Sequence, residues 1–159
     1  MASSRPLPRA SVTAPGILLG LGLGGFVDGI VLHQIAQWHA MLSSTERWPR
    51  TTLAGVEANM LADGLFHAVT WVFVVLGVVA LWRTTRAGGY APGRELLGWA
   101  LAGWGIFNVV EGIVDHLILG IHHVRGESLG WDLAFLAFGV VLIAGGLLLA
   151  RSAERPAAR

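Results

Sequence analysis

Four apolar runs, each close to twenty residues long, limit what this chain can fold into. Their approximate spans are 16–38, 59–82, 96–118 and 132–150. A helix needs about 20 residues to cross roughly 30 Å of hydrocarbon. Inside lipid only helices and closed barrels satisfy every backbone N–H and C=O, and runs this long and continuous suit helices. The expected fold is therefore all-α, an integral membrane four-helix bundle. Composition agrees, because 54% hydrophobic residues, 13% charged residues and a mean hydropathy of +0.63 are too apolar for a soluble chain of 159 residues. Residues 1–15, rich in Ser, Pro and Ala, read as a disordered cytoplasmic tail, 16–150 as the membrane domain and 151–159 as a second cytoplasmic tail. The first run outlasts a signal peptide and no small-x-small cleavage site follows it, so an uncleaved first span is expected.

The cations orient the bundle. All eleven are Arg; Arg5, Arg9, Arg83, Arg86, Arg94, Arg151, Arg155 and Arg159 fall at one end, and Arg47, Arg50 and Arg125 at the other. Eight against three predicts that both termini are cytoplasmic. Trp38, Trp48 and Trp131 then mark the outer interface, and Trp82 and Trp99 the inner one. A net charge of +1 gives no footprint for nucleic acid, and the absence of Cys excludes disulfides, thiolate nucleophiles and iron–sulfur ligation.

A shift of 83 residues lays Asp28-Gly29-Ile30-Val31-Leu32-His33 on Glu111-Gly112-Ile113-Val114-Asp115-His116 and carries His39 onto His122. Gly20 falls on Gly103, Gly22 on Gly105 and Val27 on Val110, while Asp63 to Phe66 matches Asp132 to Phe135 more weakly. This is the pattern of an internal repeat. The first and third helices run the same way, so the expected architecture is two parallel two-helix repeats about an axis along the membrane normal.

The ionisable residues of the spans gather at the outer end together with all six His. Such groups cost several kcal/mol in lipid unless paired, hydrated or metal-bound, so they mark a functional site. Asp63 and His67 share a helix face at a spacing of four, and Asn108, Glu111, Asp115 and His122 form one stripe, with His116 and His123 about 100° away. Asp28 and His33 are five apart, about 140° round a regular helix. Either a π-bulge or unwinding at Gly29 brings them together, or Asp28 supports while His33 ligates. At about 1.5 Å per residue His33 lies some 7 Å, and Asp28 some 15 Å, below the outer end. An outward-facing His/carboxylate pocket is therefore expected to bind a transition metal, with Zn, Cu(II), Fe and Mn the ions suited to nitrogen and oxygen ligands. The candidate ligands are His33, His67, His116, Asp28, Asp63, Glu111 and Asp115; His39, Asn108, His122, His123 and Asp132 take supporting or access positions. Two alternatives are a haem b protein with His33 and His116 as axial ligands and a proton or ion pathway. Gly16, Gly20 and Gly24 read as a helix-packing stripe. Whether the protein catalyses a reaction does not follow from these residues.

The segments Gly25-Phe26-Val27-Asp28-Gly29-Ile30-Val31-Leu32-His33-Gln34, Asp63-Gly64-Leu65-Phe66-His67 and Asn108-Val109-Val110-Glu111-Gly112-Ile113-Val114-Asp115-His116, followed by Gly120-Ile121-His122-His123-Val124-Arg125, resemble a bacterial family of small predicted membrane proteins that carries only a domain-of-unknown-function label. The resemblance spans all four helices. It implies a multi-pass protein of the bacterial cytoplasmic membrane with the lipid bilayer as its partner. Some members are similar in setting to cytochrome oxidase assembly proteins, which implies a copper or haem connection and respiratory oxidase assembly proteins as partners.

Overall fold

Each apolar run forms a helix in the computed structural model, which describes residues 9–87 and 89–154. Helix α1 covers Thr13–Val27, α2 Leu53–Arg86, α3 Gly93–Glu111 and α4 Leu129–Glu154. Helices α1 and α3 continue as π-helical segments over Asp28–Ile35 and Gly112–Ile118. Stretches of 23, 34, 26 and 25 residues in the four resulting rods are each long and apolar enough to cross a membrane. The protein is thus a four-helix membrane bundle. Helix α2, about 51 Å long at 1.5 Å per residue, outruns the hydrocarbon layer. Its start is set by Thr52, whose hydroxyl accepts from Gly55 N at 3.1 Å and caps the first turn.

Helix α1 packs against α2 and α3, and α3 also packs against α4. The contacts run through glycines. A Cβ on Gly20 would fall 2.8 Å from Gly103 Cα, and one on Gly103 would fall 2.9 Å from Ile17 Cα, so α1 and α3 touch backbone to backbone. Gly22 does the same toward α2, 2.6 Å from Thr70 O, as does Gly105 toward α4, 2.7 Å from Ile143 N. Small residues allow this approach, which replaces the hydrophobic drive that lipid cannot supply.

Tail residues 1–8 lie outside the described residues, but Arg9–Val12 is docked. Ala10 N donates to Tyr90 O at 3.0 Å, Arg9 pairs with Glu95 at 2.6 Å and donates to Ala153 O at 2.9 Å, and Val12 is fully buried. Helix α1 therefore starts at Thr13, inside the stretch read as tail. Helix α4 likewise runs on through 151–154; residues 155–159 lie outside the described ones. These contacts bring the N-terminal segment, the α2–α3 connection and the end of α4 to one end of the bundle. The connections 36–52 and 119–128 fold over the other.

The π segments settle the angle between Asp28 and His33. Widening the turn to i→i+5 puts residues five apart on one face. Asp28 Oδ2 and His33 Nε2 are 2.9 Å apart. Each segment ends in the same way, with Ala36 N donating to Val31 O at 2.7 Å and Leu119 N to Val114 O at 2.8 Å. A further bond follows each, Trp38 N to Leu32 O at 3.0 Å and Ile121 N to Asp115 O at 3.1 Å. Gln37 and Gly120 then turn the chain with φ of 52° and 57°. All three pairs of positions are related by the 83-residue shift.

Candidate metal centre

The turn at Gln37 and Gly120 sends each connection back across the top of the bundle and drops one more histidine into it. Four imidazoles form a compact cluster: His33 to His39 at 4.4 Å between ring centres, His39 to His122 at 4.9 Å, His122 to His116 at 4.7 Å, His33 to His122 at 5.8 Å and His39 to His116 at 6.2 Å. Below them lie Asp28 and Glu111. All six residues are buried, at 0–4% relative exposure, although they sit in a chain with few charges.

Three of the four rings are hydrogen-bonded through Nδ1, and the fourth, His116, brings its Nδ1 beside a carboxylate. His33 Nδ1 lies 2.9 Å from Asp63 Oδ1, and His116 Nδ1 lies 3.3 Å from Asp132 Oδ1. His39 Nδ1 meets Val124 O at 2.8 Å, and His122 Nδ1 meets Met41 O at 3.3 Å, so each half holds a histidine of the other. The anchoring acids are themselves pinned, Asp63 Oδ1 by Met41 N and Asp132 Oδ1 by Val124 N, both at 2.9 Å. Such partners orient a ring and leave Nε2 for another role.

The four Nε2 atoms and all four oxygens of Asp28 and Glu111 are buried without a hydrogen-bond partner. His122 Nε2 lies 3.6 Å from Glu111 Oε1, and His39 Nε2 lies 3.9 Å from Asp28 Oδ1. The short Asp28–His33 contact also lacks hydrogen-bond geometry. Nitrogen and carboxylate oxygen atoms crowded together in this way are arranged like ligands aimed at a common point. Three overlapping sets bring one ligand atom per residue within 4.8 Å of each other: His33, His39 and His122; Glu111, His116 and His122; Asp28, His33 and Glu111. Burial holds His39 down to about 4 against the pull of Asp28, and burial with three neighbouring histidines holds His122 down to about 2. Both rings are neutral near pH 7, the form that binds metal.

The sequence matches the family described as "Predicted membrane protein (DUF2243)" over residues 15–153. The chain belongs to that family. No curated protein and no solved structure matches the chain.

The family motifs quoted from the sequence fall at the centre, but not all of their residues enter it. Asp28, His33, Glu111 and His116 are inner groups. His39 and His122, expected to support, are inner as well, because the backward turn carries them in. Asp63, expected as a ligand, is hydrogen-bonded to His33 Nδ1, and Asp132, expected to support, lies 3.3 Å from His116 Nδ1. His67 stands apart: its Nδ1 turns back to Asp63 O at 2.6 Å and its ring lies against Gly29. A shared face with Asp63 does not bring it in, because the Asp63 carboxylate reaches toward the connection while the ring sits a turn deeper. Asp115 is half-buried outside the cluster, since the π widening moves His116 onto the face of Glu111 and carries Asp115 off it. His123 Nδ1 meets Asp132 Oδ2 at 2.7 Å and stays partly exposed. Asn108 is buried beneath the cluster, with Oδ1 unpartnered. The signal for the inner role of His39 and His122 was present in the 83-residue shift; that for Asp63 and Asp132 as anchors was their placement on α2 and α4, opposite the π segments.

Proposed function

We propose that this is a membrane metalloprotein whose Asp28, His33, His39, Glu111, His116 and His122 hold a pair of first-row transition-metal ions, one for each half of the site. The observation that carries this reading is the convergence of eight buried, unpartnered lone-pair atoms. Leaving each unsatisfied costs about 1–3 kcal/mol, a total on the scale of a whole domain's stability. Metal ions satisfy all of them at once. Nitrogen and oxygen donors without thiolate suit Zn, Fe, Mn or Cu(II). The matching of ligands at positions 83 apart supports an internal duplication, with one carboxylate and two histidines from each repeat.

Burial and the fixed Nδ1 contacts favour a resident centre over a carrier that exchanges ions with respiratory oxidase assembly proteins. Haem b fits less well, because the stacked rings of His39 and His122 fill the space between His33 and His116 where a porphyrin would lie. A proton or ion pathway also fits less well, because the clustered histidines and carboxylates occupy one level of the bundle, with Glu95 at its opposite end paired to Arg9.

Elemental analysis of detergent-purified protein tests the proposal. The expected result is two ions per chain, lost in His39→Ala/His122→Ala and kept in His67→Ala. One ion per chain would retain the metal and remove the pairing. No metal after reconstitution with Zn, Fe, Mn and Cu would overturn the reading and leave a buried proton-sharing network.

A further inference from the structure

The two halves of the bundle differ in one respect beside the centre. Between α1 and α4 run two adjoining cavities, of about 190 and 210 Å³, which share Leu32 and Phe135. Together they form a groove on the membrane-facing side. Its outer end lies at Trp38 and Trp131, whose rings are 5.5 Å apart. Its inner end reaches Gly24 and Phe138, with Trp104 and Asn108 of α3 as the floor. From Leu32 to Gly24 this is about 12 Å of depth.

Two observations say what such a groove takes. The walls are apolar and open toward lipid, with Val27 and Phe138 41% and 48% exposed. At the outer end Arg125 places its guanidinium 5.0 Å from the Trp38 ring and 5.8 Å from that of Trp131, an exposed cation beside two indole rings at the mouth of the groove. In the other half the 83-residue shift puts Phe107 in the place of Gly24, and its ring packs on Phe66 at 5.9 Å. An aromatic side chain thus stands where the groove has a glycine.

We propose that the groove binds one anionic phospholipid, with its phosphate on Arg125 and one acyl chain lying past Leu32 and Phe135 to Trp104. The chain then runs beside Asp28, which borders both the groove and the histidine cluster. Lipid binding needs only the groove and Arg125, so it stands or falls apart from the metal reading.

Native mass spectrometry of the full chain, delipidated in detergent and titrated with phosphatidylglycerol or phosphatidylcholine, tests this. The wild type is expected to retain one phosphatidylglycerol at least tenfold more tightly than phosphatidylcholine. Arg125→Gln should lose that preference, and Leu32→Trp should retain neither lipid. Equal retention of the two lipids by the wild type, or an Arg125→Gln variant that keeps the preference, would overturn the proposal. If Leu32→Trp does not fold, Arg125→Gln alone decides, because it leaves the groove walls intact. Metal content measured on the same samples reads the histidine cluster separately.

Discussion

Gln37 is a non-glycine residue in the left-handed region, with φ of 52°, and its counterpart 83 residues on is Gly120 at 57°. An L side chain pays roughly 1–2 kcal/mol there, whereas glycine does not. The same turn drops a histidine into the centre in both halves, so the backbone shape is required even where the residue is strained. Arg50 helps hold it by donating to Gln37 O at 3.2 Å. Gln37→Gly is expected to raise the thermal midpoint in detergent, by about 1 kcal/mol of stability, with metal content unchanged. A lowered midpoint would mean that the Gln37 side chain contributes more than its backbone strain costs.

At the scale of elements, the glycines set how closely helices approach and the π segments set which residues face inward. A side chain at Gly103 would meet the backbone of Ile17, which cannot move aside like a rotamer, whereas nothing lies within 4 Å of a Cβ on Gly145. Gly103→Leu should therefore cost about 3 kcal/mol or more, and Gly145→Leu close to nothing. Thermal unfolding of the two variants, followed by circular dichroism, checks this contrast; equal midpoints would count against backbone contact between α1 and α3. The regular helix in the sequence reading placed Asp115 with Glu111 and separated Asp28 from His33. The π segment in each rod reverses both statements. It does so where Gly29 lies against His67 and Gly112 lies against Leu136, so the small residues also admit the neighbouring helix.

For the molecule as a whole, the docked residues 9–12, the α2–α3 connection and the end of α4 share one end of the bundle, and the histidine cluster lies at the other. The excess of Arg at the first end predicts that it is cytoplasmic. The chain contains no Cys, so single cysteines report orientation without a background. Glu46→Cys should react with a membrane-impermeant maleimide added outside intact cells, and Ala87→Cys only after the cells are opened. The reverse pattern would put the centre on the cytoplasmic side. Either result leaves the bundle unchanged, because packing between helices does not depend on which way it was inserted.

The four spans, the bundle and the gathering of the polar groups at one end follow from sequence alone, since hydropathy acts locally and a charge in lipid is costly wherever the chain leads. The pairing of Asp28 with Glu111, His33 with His116 and His39 with His122 was also legible, as positions repeated at one interval. The tertiary structure decided which of these groups meet. His39 is held by Val124 and His122 by Met41, residues more than 80 positions away, and Asp63 and Asp132 reach the π segments from other helices. Helical periodicity describes a single rod. It holds no information about a turn that crosses the bundle, or about a widened helix whose cost is met by the neighbours packed against it.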